Sequence, residues 1–163
     1  MKASLVCPAA LALAALAGCG SDPADVAGNY TVSITSRDNG CAFANWTVGN
    51  TATGIQVTMT QDGASASATV EGLTGGVLQA GLGGRTFTGS VDGSELSLSI
   101  VGTVGHTQGN CAYTHDAILT GTIDGDFLSG HIDYHARTNG QPDCGTLTGC
   151  TSTQDFNGTR PPT

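Results

Sequence analysis

The sequence predicts an all-β protein: an eight-stranded antiparallel up-and-down meander barrel, with a two-sheet β-sandwich as the alternative. Three observations point there. Glycine, serine and threonine are abundant and no long stretch carries helical periodicity, which favours many short strands joined by turns. TGSVDGSELSL (88–98) and TGTIDGDFLSG (120–130) agree at six of eleven positions, 32 residues apart, and a weaker copy, TMTQDGASASA, centres on Asp62-Gly63. Each copy sets Asp-Gly between alternating segments, a hairpin signal in which glycine takes the positive φ of a tight turn.

Taken in chain order, a first strand over 29–35 alternates Tyr30, Val32 and Ile34 against threonine and serine. The first Asp-Gly hairpin then sets Met59 opposite Ala68 and Val57 opposite Val70. The second sets Val91 opposite Leu96 and Gly89 opposite Leu98. In the third, a two-residue turn at Gly125-Asp126 pairs Ile123 with Leu128, Gly121 with Gly130, Leu119 with Ile132 and Ala117 with Tyr134. Most apolar residues then share one face, Ile118 and Phe127 excepted, and a one-residue slip would invert one strand of each pair. A last strand over 152–159 alternates weakly around Phe156. Eight strands in sequence order close most easily into a barrel, which removes both exposed edges. Tyr30, Phe87, Tyr134 and Phe156 are the aromatics expected inside. Most of the strands read as shorter than the roughly 9–11 residues of membrane-spanning strands, and the chain has one Trp, so a lipid-facing barrel is not expected.

Upstream of the barrel, Lys2 precedes an apolar run over 5–17 that is too short for a bilayer, which needs roughly 20 residues, but fits a secretory signal. Leu16-Ala17-Gly18-Cys19 resembles the lipobox of bacterial lipoproteins. That resemblance implies diacylglyceryl attachment at Cys19 (with palmitate as a typical acyl chain) and a membrane anchor. Since Gly20 rather than aspartate follows, it also implies sorting to the outer membrane of the cell envelope. Ordinary secretion is the alternative, because Ala15-Leu16-Ala17 is also an A-x-A cleavage site. The expected organisation is a signal peptide over 1–18, a lipidated cysteine and short tether over 19–27, a barrel domain over 28–160 and a disordered tail over 161–163.

Beyond the signal the chain carries four arginines, no lysine and 13 acidic residues. Nucleic acid, which needs a basic face, is not an expected partner; acidity of this kind keeps a protein soluble or attracts a basic partner.

Apart from Cys7 in the signal and Cys19, four cysteines remain, Cys41, Cys111, Cys144 and Cys150: an even number in an exported protein, which implies two disulfides. The Asp-Gly turns mark one end of a meander, the bottom. The long connections at 36–53, 72–85, 102–112 and 138–151 therefore lie together at the top, and all four cysteines sit in them. Neighbouring loops in a closed barrel favour Cys41–Cys150 with Cys111–Cys144. The small ring CGTLTGC keeps Cys144–Cys150 with Cys41–Cys111 open.

Chemistry-bearing residues are few. In HIDYH (131–135), His131, Asp133 and His135 share the outer face with Asp116 opposite His135. The two histidines are about 14 Å apart along the strand, too far for one zinc ion. His106 and His115 lie in or near the third top loop without partners at a recognisable spacing. GLGGR (81–85) has the glycines of a phosphate loop but opens no predicted helix. No metal site, cofactor or catalytic motif is expected, and the asparagines in NYT, NWT and NGT carry no glycosylation in a bacterial setting. Phe43 and Trp46, just after Cys41, are the candidate contacts at the mouth: a lip over a ligand or a plug packing the barrel end.

Gly28-Asn29-Tyr30 at the start of an eight-stranded meander resembles the G-x-W opening of lipocalins, with Tyr in place of Trp. Arg160 stands where that family often places an arginine closing the barrel base. The resemblance implies a lipocalin-like barrel. The function expected is that of a non-catalytic, monomeric lipoprotein whose barrel takes a small apolar ligand at its disulfide-tied loop end. The alternative is an envelope module that docks a partner protein through the top loops or the acidic surface.

Overall fold

A computed structural model describes residues 22–161. The lipobox with Cys19 lies outside the described residues, as do the last two residues of the expected tail. The strands are β1 (Gly28–Asn39), β2 (Thr51–Asp62), β3 (Ser65–Val70), β4 (Thr86–Asp92), β5 (Glu95–Ile100), β6 (His106–Gln108), β7 (Cys111–Asp124), β8 (Phe127–Thr138) and β9 (Thr151–Thr159). A helix, α1 (Gly72–Leu82), follows β3, and a short 3-10 segment, Pro142–Leu147, precedes β9.

Strand β1 pairs with β2 and β9, and β5 pairs directly with β7, so eight antiparallel strands close on themselves and β6 lies outside the ring against the top of β7. Closure sets the sandwich aside. All three Asp-Gly hairpins take the registers expected, down to Gly121 opposite Gly130 and Ala117 opposite Tyr134. Inward residues such as Val32, Met59, Phe87, Leu98 and Leu119 are buried, while Ile118 and Phe127 face water. Each buried side chain of this size contributes about 1.5–3 kcal/mol of transfer free energy.

Phe156 explains the paired glycines. A Cβ on either Gly121 or Gly130 would stand 2.8 Å from its ring tip, so the two bare positions make the hollow that this ring fills.

Three expectations are corrected. First, the 72–85 connection, expected as an irregular loop, is largely α1. Four glycines among its eleven residues weaken helix propensity by about 1 kcal/mol each. Leu73 also faces outward and Val77 is largely exposed while Leu82 turns in, which blurs the 3.6-residue stripe. GLGGR closes this helix: Gly83 at φ 85° donates its N–H to the Gln79 carbonyl at 3.0 Å. Second, the strands are not short, with five of the eight in the ring running 9 to 14 residues. Strand length therefore says nothing against a spanning barrel. The outward faces do, since they carry Thr58, Thr60, Ser67, Thr69, Ser97 and Thr120 where lipid demands an apolar band.

Third, the final residues of the expected tether are docked. Val26 is fully buried and donates its N–H to Gln61 Oε1 at 2.7 Å, and the Ala24 N–H reaches the Gly93 carbonyl at 2.7 Å. Arg160 closes the base beside them. Its guanidinium lies 5.9 Å from the Tyr30 ring centroid, pairs with Asp126 at 2.8 Å and donates to the Ala27 carbonyl at 2.6 Å.

Candidate functional site

The two halves of the barrel differ. Below, the side chains interlock around a void of about 40 Å³; above, a cavity of about 580 Å³ opens at the mouth. Ile34, Ile55, Val70, Phe87 and Ile132 border both, and so form the floor of the upper space. The volume falls within the roughly 300–1,000 Å³ of small-molecule sites.

One wall is aliphatic and comes from α1, through Val77, Leu78 and Leu82. The helix can lie on the end of β3 because position 75 is glycine, where a Cβ would run into the Val70 carbonyl. The facing wall is aromatic. Phe43 lies 5.6 Å from Trp46 and 4.8 Å from His115, centroid to centroid, and Tyr134 stands edge-on to Phe43 and Trp46 at 6.0 and 5.9 Å. His106 stacks on Tyr113 at 5.3 Å and continues the chain of rings.

The disulfides hold this wall. They are Cys41–Cys150 and Cys111–Cys144, the pairing of neighbouring loops. All four cysteines cluster with Leu147 into a second small core, on which Phe43 and Tyr113 pack. Hydrogen bonds fix the Phe43 loop further: Asn39 accepts from the Phe43 N–H at 2.8 Å and donates to its carbonyl at 3.0 Å. The buried Ser152 hydroxyl accepts from the Cys41 N–H at 3.0 Å and donates to Asn39 at 3.2 Å. Trp46 is half-buried, with its indole N–H on the Arg37 carbonyl at 2.9 Å. It borders open space, so it lines the mouth rather than plugging it.

A polar chain crosses the wall between β8, β9 and β1. Tyr134 donates to Gln154 at 2.9 Å, and Gln154 donates to Ser36 at 3.2 Å. Burial pushes the Tyr134 phenol up, so it stays neutral as a donor. His115 is different: its Nε2 is buried without a partner. Burial and the neighbouring His106 pull its pKa below the ordinary 6.5, against a smaller opposite pull from Asp116. The unfolded chain therefore binds this proton more readily than the folded one. The resulting contribution to stability is present above pH about 6.5 and is lost as pH falls from there through the lowered folded-state value. His115→Phe, which removes no hydrogen bond at Nε2, is expected to hold stability at pH 7.5 and to flatten the loss between pH 6.5 and 5. Parallel denaturant titrations across that range check this.

The other candidates lie elsewhere. On the outer face of β8, His131 sits 3.6 Å from Asp133, which accepts from Thr153, while His135 meets Thr151 at 3.1 Å and pairs across the strands with Asp116. Among the described residues no three His, Cys, Asp or Glu side chains converge as a metal-ligand set. Sequence reasoning missed Tyr113 and His115 as cavity residues and did not assign His106. The signal was available, because the inward parity of Leu119 and Ala117 on β7 continues upward through His115, Tyr113 and Cys111. No protein-family model matches this chain, and no curated protein or solved structure matches it either.

Proposed function

We propose that the protein is a non-catalytic lipoprotein, anchored through Cys19, that binds a small apolar ligand in the barrel mouth. One observation carries the reading: a cavity of about 580 Å³ between an aliphatic helix and an aromatic wall, floored by buried aliphatic side chains and held by two disulfides. Disulfides fit an oxidising compartment outside the cytoplasm, as the lipobox resemblance does. Removal of the anchoring thiol by Cys19→Ser is expected to abolish incorporation of radiolabelled fatty acid; undiminished label would remove the anchor from the proposal.

The pocket is tested with a neutral apolar dye, N-phenyl-1-naphthylamine, titrated while the emission of Trp46, the single tryptophan, is followed. Saturable quenching at one dye per chain is expected. Trp46→Ala, which removes that signal and is therefore titrated through the dye's own emission, should weaken dye binding about tenfold and leave the melting temperature nearly unchanged. Gly81→Leu should also weaken binding without loss of stability. Gly81 lines the cavity, a Cβ there meets nothing within 4 Å, and leucine improves helix propensity by about 1 kcal/mol. Non-saturable quenching, or unfolding by Trp46→Ala, would count against the pocket.

A specific observation keeps the partner-protein reading alive. Of the six large hydrophobic residues exposed among the described residues, Val48, Leu73, Val77 and Val101 all lie on top connections. If they dock a partner, Leu73→Ser should disturb that complex while Gly81→Leu leaves it intact.

A further inference from the structure

We infer that the mouth cavity selects an uncharged ligand, an apolar body ending in a neutral hydrogen-bonding group, and discriminates against carboxylates and ammonium ions. The inference rests on the pocket reading above. Among the described residues, no Asp, Glu, Lys or Arg side chain lines the cavity. The arginines near this end are committed outside it: Arg37 to Asp155 at 2.6 Å, Arg85 to Glu71 at 3.2 Å and Arg137 to Asp116 at 3.4 Å. His106 and His115 also line the cavity, and burial first, then the neighbouring His106, favours the neutral form of His115.

A carboxylate entering this space would give up its water for a site without a lysine or arginine to pair with, in a chain whose formal net charge is −8. Both facts oppose it. An ammonium ion would find no carboxylate either. Aromatic faces can hold a cation, but these rings are turned on one another. Phe43 stacks on Trp46 with planes 27° apart, and Tyr134 meets both edge-on at 84° and 85°. What the cavity offers is neutral: Asn45, Asn50, Thr74 and the Ser36–Gln154–Tyr134 chain. Those groups suit an alcohol, amide or ester.

Decanol, decanoate and decyltrimethylammonium share a chain length and differ in head-group charge. At pH 8 and below micellar concentrations, calorimetry on the processed, oxidised protein should find decanol bound at least tenfold tighter than either ion. Val77→Arg places a cation at a position that lines the cavity and is 65% exposed, so the side chain is readily accommodated. It should narrow the gap between decanoate and decanol by threefold or more. Decanoate or the ammonium binding as tightly as decanol overturns the inference and leaves the pocket standing. An unchanged gap in Val77→Arg also overturns it, because the missing counter-charge would not then set the preference. If none of the three binds and the dye does not either, the pocket reading itself has failed.

Discussion

Removing the Cys41–Cys150 bridge by Cys41→Ala with Cys150→Ala is expected to cost about 4–5 kcal/mol, and removing Cys111–Cys144 about 3–4 kcal/mol. The difference follows from the chain each closes, 109 residues against 33, since a cross-link restricts the unfolded ensemble more as the loop lengthens. In a domain of this size, thermal unfolding followed by circular dichroism should fall by roughly 15 °C for the first and about 10 °C for the second. A reversed order would show that the loops retain structure when unfolded. The consequence for the site is sharper than for the barrel. Phe43 and Tyr113 rest on the sulfur cluster, so dye binding should already fail at temperatures where the strands remain folded.

The second large effect is expected from Phe156→Ala, a loss of about 3–5 kcal/mol. Phe156 is 4% exposed and stands over Gly121 and Gly130, positions with no side chain to move into the space it would leave. Poor collapse puts the cost toward the upper end of that range. The lower void of about 40 Å³ already borders this ring and would merge with the new one. Because Phe156 does not line the mouth cavity, the affinity for an apolar dye should change less than threefold while the protein stays folded. Chemical denaturation and dye titration of the same variant separate the two. A large loss of binding with little loss of stability would place the ligand deeper than the floor described here.

The barrel was legible because its signals are local. Asp-Gly turns and period-two alternation state a register within ten residues, and each hairpin adopts it. Closure followed from counting strands. Topology narrowed the bridges to two alternatives, and the structure chose the pairing of neighbouring loops. Less local features stayed hidden. Helix α1 escaped notice because glycines dilute its propensity and its exposed Leu73 and Val77 break the stripe that a packed helix shows. The histidines at the mouth looked partnerless because their neighbours, Phe43 from the first connection and Tyr113 two residues before His115, meet only once the ring has closed. Two of those contacts were still within reach of strand parity. The long β7, with polar residues inward at its top, was itself a sign of an unfilled upper half.

If Cys19 is acylated as proposed, the docked segment at the base fixes which way the barrel stands. Between Cys19 and Ala24, whose N–H is held by Gly93, only four residues intervene, a span of at most about 17 Å even when fully extended. A chain acylated at Cys19 would therefore rest on its closed end, with Arg160 and the Asp-Gly turns toward the bilayer. The mouth would point away, on the order of 30 Å further out along the strands. In that posture a ligand does not pass sideways from the anchoring leaflet into the cavity. It would be taken from, or handed to, whatever lies across the aqueous gap. The length of the tether, more than the shape of the pocket, then sets how far the open mouth can reach.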